Sequence, residues 1–284
     1  REEHIAVQLM SKYALLVGIS RYEDEEIPNL LYAHRDAEVL GRHLKQECGF
    51  DVRVLQCTEG SDDITNGVIA RELDRIADDI AEGDTFFFFF SGHGVQKNGR
   101  PILLTSDTAV RAPRLALPVE NLMEVLDEVH CRNRVLVFDC CRSDSMLRRG
   151  DGRPLLDESF VRDVKTRASS GKARAKTTGL MFSCSADQCA YEWPARKHGV
   201  FTHYLLEGLK EKAWEGNQLI FQKLASYVSK QVAEWSKTRR PEPQVPWIDY
   251  SGTGEPIVIA ESSVSKQAGT GASIESEVED LRLG

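Results

Sequence analysis

The chain has 284 residues, 41% hydrophobic and 28% charged, enough to bury the core of one large domain or two small ones. A formal net charge of −8 argues against a phosphate-tracking nucleic-acid binder, and no stretch approaches the ~18 apolar residues of a membrane span. Seven scattered cysteines without a CxxC pair, and histidines without metal-ligand spacing, point away from a disulfide framework or zinc site and toward a reducing cytoplasm.

The first residues, REEHIAVQLM, lack the basic-then-apolar order of a signal peptide and read as an internal start. In chain order, short apolar runs predict strands over Tyr13–Ile19, Val52–Leu55, Thr85–Phe90, Ile102–Leu104, Arg134–Asp139, Leu180–Ser183 and Pro256–Ile259. Between them, helical faces are formed by Ile69, Leu73, Ile76 and Ile80, and by Leu122, Val125, Leu126 and Val129 behind Pro118. Two more follow, from Phe201, Tyr204, Leu205 and Leu209, and from Leu224, Val228, Val232 and Trp235. The runs at Tyr13, Thr85 and Arg134 are continuously apolar, as in strands covered on both faces. The alternation predicts an α/β fold with a mostly parallel sheet and helices on both faces, which gathers ligands at the strands' carboxyl ends.

Residues 144–178 break this rhythm. They hold nine of the 36 lysines and arginines and no sustained apolar face, so they read either as a solvated linker or as a functional loop. The stretch from Glu261 to Gly284 is rich in Ser, Gly and Glu and reads as a flexible tail.

Two strand ends carry reactive residues. In FFFFFSGHGV a buried strand runs into Ser91-Gly92-His93-Gly94, where the glycines leave the imidazole accessible. In RVLVFDCCRSDS a second strand ends on Asp139, Cys140 and Cys141. Taken singly, the first could be a surface histidine and the second two packed thiols. Taken together, with 48 residues separating His93 from Cys141, they suit a cysteine nucleophile whose thiolate attacks a carbonyl beside a proton-transferring histidine. Direction alternates along an extended chain, so Asp139 and Cys141 share one side and Cys140 takes the other.

The pair of motifs, apolar-SGHG and apolar-D-x-C-x-S, resembles the caspase-like cysteine peptidases, and more closely the metacaspases and bacterial orthocaspases. YALLVGISRY with LYAHRDAEVLGRHL resembles their first strand and helix, and FSCSADQCAYE with HGVFTHYLLEGL their small-subunit half, so that the likeness spans roughly residues 12–260. It implies a caspase-like fold with about six central strands. Residues 1–143 would form a large-subunit half, 144–178 a processing loop, 179–260 a small-subunit half and 261–284 a tail.

The resemblance makes His93 the general base and acid, Cys141 the nucleophile, and the backbone N–H groups of Gly94 and Cys141 the oxyanion hole. It also places Asp36, Ser91 and Asp139 around the primary specificity pocket. Without the resemblance, Asp36 would read as an exposed helix carboxylate. Two carboxylates and a hydroxyl suit arginine or lysine, so the implied cut follows a basic residue in a protein or peptide. Within the loop, Arg162, Lys165, Arg167, Lys172, Arg174 and Lys176 become processing candidates, for the chain itself or for an upstream activating protease.

Arg142 and Asp144 stand where the family usually has histidine and glycine. The region after the histidine motif, VQKNGRPILLTSDTAV, offers only Asp107 as a carboxylate, so no metal, no cofactor and calcium independence are expected. A cytoplasmic monomer acting in microbial stress, cell-death or defence signalling completes the main expectation, with no nucleic acid or membrane as partner. The alternatives are a catalytically silent caspase-like interaction module and an α/β phosphoacceptor domain built on Asp139. The latter would need acidic residues at the end of the first strand, which closes on Ser-Arg instead.

Overall fold

The computed structural model describes residues 10–97, 100–141, 153–154, 175–185 and 188–262. Its strands are β1 (Lys12–Ile19), β2 (Asp51–Cys57), β3 (Thr85–Lys97), β4 (Arg100–Leu103), β5 (Leu117–Pro118), β6 (Asn133–Cys141) and β7 (Arg153–Pro154). The remainder are β8 (Thr177–Phe182), β9 (Glu192–Trp193), β10 (His198–Gly199), β11 (Trp214–Glu215), β12 (Gln218–Ile220), β13 (Trp247–Gly252) and β14 (Val258–Glu261). The helices are α1 (Ala33–Glu47), α2 (Asn66–Asp79), α3 (Val119–Glu128), α4 (Val200–Glu207) and α5 (Phe221–Arg239).

Six strands form the central sheet in the order β13-β8-β6-β3-β1-β2, all neighbours parallel except the antiparallel edge pair β13–β8. The unbroken run Phe86–Phe90 is explained by this position: β3 is central, and all five rings are fully buried. Alternate residues of the same strands feed two cores. Leu15, Val17, Phe86, Phe88 and Phe90 pack with α2 and α3 through Ile69, Leu73, Leu122 and Leu126. Ala14, Leu16, Phe87, Phe89, Val135 and Val137 pack with α1, α4 and α5 through Leu40, Leu44, Phe201, Leu224 and Val228. The predicted helical faces are the faces that these helices bury.

Several expectations need correction. The predicted strand at 256–259 lies outside the central sheet, because β14 pairs with β12 in a separate antiparallel sheet with β11. The sheet's sixth strand is instead β13, which follows a run holding Pro241, Pro243 and Pro246 and shows no continuous apolar signal. SGHG does not leave the sheet as a loop. β3 continues to Lys97, exchanging its parallel partner β1 after Ser91 for antiparallel β4. Of the two sequence halves, the C-terminal one enters the same sheet through β8, which hydrogen-bonds to β6.

At the end of β1 the first turn of α1 rests directly on Gly18. A Cβ there would collide with the Ala33 carbonyl oxygen and come within 2.8 Å of Ala37 Cβ. Only glycine lets α1, and with it Asp36, approach the sheet this closely. Gly18→Ala is therefore expected to lower the unfolding free energy by about 1–3 kcal/mol in urea titration. An unchanged midpoint would contradict the close approach.

Candidate active site

Register along the two central strands brings the candidate residues together. Ser91 is opposite Asp139, Gly92 opposite Cys140, and His93 opposite Cys141. Cys141 is placed by its backbone as the last residue of β6.

His93 is 1% exposed, not open as its flanking glycines suggested. Its Nε2 lies 2.7 Å from the Pro28 carbonyl oxygen, and the Tyr22 ring sits 5.0 Å from the imidazole, centroid to centroid. The His93 backbone N–H donates to Tyr22 Oη at 2.9 Å. The loop after β1 thus covers the histidine and engages its Nε2 through the Pro28 carbonyl. That loop is itself pinned: Leu30 N–H donates to the Ser20 carbonyl, and Leu31 and Tyr32 N–H both donate to Glu192 Oε1 at 2.9 and 3.0 Å.

Gly94 is paired with Leu103 of β4, while the Leu104 N–H donates to the His93 carbonyl. In an antiparallel ladder this makes Gly94–Leu103 a non-hydrogen-bonded pair, so the Gly94 N–H faces away from β4, toward the side occupied by β6. That direction suits an oxyanion donor beside Cys141.

Asp36 and Asp139 are each 2% exposed and Ser91 3%. Asp36, in the first turn of α1, accepts from Gly199 N–H through Oδ2 at 3.1 Å, and its Oδ1 lies 2.6 Å from His198 Nδ1. Asp139, at the end of β6, accepts from Thr202 Oγ1 at 2.7 Å. The two carboxylates face one another across Gly199: a Cβ on it would stand 2.8 Å from Asp139 Oδ2 and 3.2 Å from Asp36 Oδ2. Burial raises the Asp139 pKa to about 6, against the Thr202 hydrogen bond. Burial, then the charge of Asp139, pushes Asp36 well above the usual carboxylate range. Among the described residues no lysine or arginine pairs with either. The site is therefore a pair of buried carboxyl groups, both with raised pKa and neither paired with a cation among the described residues.

Cys140 is buried in the core cluster that contains Phe90, Phe138, Phe182 and Cys184, and burial pushes its thiol well above the ordinary value. Among the loop candidates, Lys176 lies at the sheet's far end, exposed and 2.9 Å from Glu82. Arg162, Lys165, Arg167, Lys172 and Arg174 lie outside the described residues, as do residues 263–284 of the tail. Among the described residues no group of three or more His, Cys, Asp or Glu side chains could hold a metal ion, and no helix is long and apolar enough to cross a membrane.

Sequence reading missed Pro28, Tyr22, Glu192, His198 and Thr202. These act through contacts spanning from 63 to 162 residues of sequence, which periodicity does not register. The available cue was HGVFTHY, a His-Gly step opening an apolar helix.

The fold is similar to that of a Geobacter sulfurreducens protein of known structure, at 18% identity and a TM-score of 0.61, covering 90% of this chain and 99% of that one. It is similar to caspase-1 from Spodoptera frugiperda at 14% identity and a TM-score of 0.59, covering 89% and 93%. The pro form, pro-sf-caspase-1, gives 17% identity and a TM-score of 0.55, covering 89% and 92%. No curated protein matches the sequence.

A buried thiol with a strongly raised pKa reacts slowly because its thiolate is scarce. Cys140 is thus expected to resist iodoacetamide at pH 8 in the folded protein and to react after unfolding, as read by peptide mass. Labelling of native Cys140 at a free-thiol rate would contradict its burial.

The caspase-domain sequence profile matches residues 11–255, almost the whole described chain, and the chain belongs to the caspase-domain (peptidase C14) family.

Proposed function

We propose that this caspase-domain protein is a cysteine endopeptidase that cuts after arginine or lysine, of the metacaspase or orthocaspase type. The reading rests on one observation above all: two buried carboxylates, Asp36 and Asp139, converge beside the His93–Cys141 register pair, with no cation paired to either among the described residues. A guanidinium or ammonium entering this pocket would neutralise both, with Ser91 as a further polar group on the same side of Asp139.

In this reading His93 draws the proton from Cys141, whose thiolate attacks the carbonyl carbon of the scissile bond. The negative oxygen that develops is received by the backbone N–H groups of Gly94 and Cys141. His93 then donates its proton to the leaving amine, and water, deprotonated by the same imidazole, releases the acyl group from sulfur. The Pro28 carbonyl steadies the imidazolium that forms in between. Asp139 recognises substrate and is no third member of a triad, since its carboxylate is engaged by Thr202 at the pocket.

Processing within residues 144–178, by the chain itself or by an upstream protease, is part of the proposal. Cutting there would leave β8 hydrogen-bonded to β6, so the two halves would stay in one sheet. We also propose calcium-independent action as a cytoplasmic monomer, in bacterial stress, cell-death or defence signalling.

Fluorogenic peptides ending in Arg, Lys or Asp test the activity, with Cys141→Ala as the blank. Cleavage of the basic peptides alone is expected, unaffected by chelator. Cleavage after Asp, or equal turnover by the blank, would refute it. With an Asp139 pKa near 6, the pocket loses negative charge as pH falls through about 6. KM for the Arg peptide should therefore rise several-fold between pH 7.5 and 5. A flat KM would contradict the assignment of Asp139. Intact mass of wild type beside Cys141→Ala reports self-cleavage: fragments only in the wild type are expected, and identical fragments would rule it out.

A further inference from the structure

The hairpin β9–β10 reaches the pocket from the C-terminal half of the chain. Its two strands pair His198 with Trp193 and Gly199 with Glu192. Through His198 Nδ1 and the Gly199 N–H it contacts both oxygens of Asp36, at 2.6 and 3.1 Å. Burial, then the positive charges of Arg35 and Lys210, lowers the His198 pKa to about 4, so the imidazole is neutral near pH 7. A neutral imidazole that gives Nδ1–H to Asp36 adds no cation to the pocket. It can fix the carboxylate's orientation without competing for the charge that the substrate brings.

We infer that His198 is a positioning and specificity-determining residue, whose Nδ1–H holds the Asp36 carboxylate in the orientation that receives the substrate's basic side chain. The inference rests on the proposed basic-residue pocket. Nothing else on α1 does this work: α1's first turn supplies Asp36 itself, and its cap residue Tyr32 makes no side-chain cap hydrogen bond. The other contact to Asp36 comes from the neighbouring backbone N–H of Gly199, which any substitution at 198 retains. Side-chain replacement at 198 therefore removes one donor and leaves the hairpin's backbone link in place.

Three variants test this with an Arg-ended peptide. His198→Ala should raise KM about tenfold with kcat within about twofold of wild type, the loss of one hydrogen bond to a charged group. His198→Asn, whose amide N–H falls near the position of Nδ1, should restore KM to within about threefold. In an Asp36→Asn background, His198→Ala should change KM no further, because the imidazole acts through that carboxylate. An unchanged or lowered KM in His198→Ala, or full additivity with Asp36→Asn, would overturn the inference. A general packing loss would move kcat and folding and would not be rescued by Asn.

If wild type cleaves no basic peptide, the functional reading fails on its own. The contact is then decided by the ¹⁵N-resolved proton signal of His198 Nδ1–H. A low-field, slowly exchanging proton lost in Asp36→Asn supports the positioning role, and its absence from wild type refutes it.

Discussion

Two buried carboxylates, neither paired with a cation among the described residues, govern the arrangement of this site. Taking Asp36 and Asp139 out of water is costly, and their mutual repulsion adds to the cost. Among the described residues the donors that offset it include His198, Gly199 and Thr202, from the segment that opens α4. A fold that needed only stability would place apolar groups here. Under the proposed reading, a site for a basic side chain has reason to keep its carboxyl groups buried and under-compensated, because an arriving cation then restores their charge in a desolvated setting.

The same constraint explains why the two halves of the sequence are inseparable. Asp36, Ser91 and Asp139 come from the first half, and the groups that hold the two carboxylates come from the second. The β6–β8 ladder joins them, and β3–β6 pairing in turn sets Ser91 against Asp139 and His93 against Cys141. A one-residue slip of β6 would exchange Cys140 for Cys141 and turn a core thiol into the pocket. The doubled cysteine is thus kept in order by register, with Phe90, Phe138 and Phe182 fixing Cys140 on the opposite face. Glu192 extends the dependence to the histidine, because it pins the 28–32 loop whose Pro28 carbonyl holds His93 Nε2.

Much of this was legible in the sequence, for physical reasons. Phe86–Phe90 and Arg134–Asp139 must lie in central parallel strands, since no half-exposed strand tolerates such runs. The amphipathic faces of α2, α3, α4 and α5 could be read from spacing alone. The Asp-Cys-Cys motif fell at the end of β6 by the same logic, whereas SGHG lies within β3, which runs on to Lys97. What escaped were single polar groups that act at a distance, such as His198 on Asp36, and the exchange of β14 for β13 at the sheet's edge. Edge strands carry weaker patterns because one side is solvated, and β13 also follows a proline-rich run that masks its start. The burial of His93 was hidden too, because its cover comes from Tyr22 and Pro28, 71 and 65 residues upstream.

The central claim is that paired buried charge, not shape, selects the substrate. The most direct measurement compares kcat/KM for two peptides that differ only in arginine or citrulline before the cleaved bond, on wild type and on Asp36→Asn/Asp139→Asn. Citrulline keeps the side chain's size and removes its charge. The account predicts a preference for arginine of about a hundredfold or more in wild type that collapses to within a few-fold in the double variant. Equal turnover of both peptides by wild type, or a preference that survives the double variant, would contradict it.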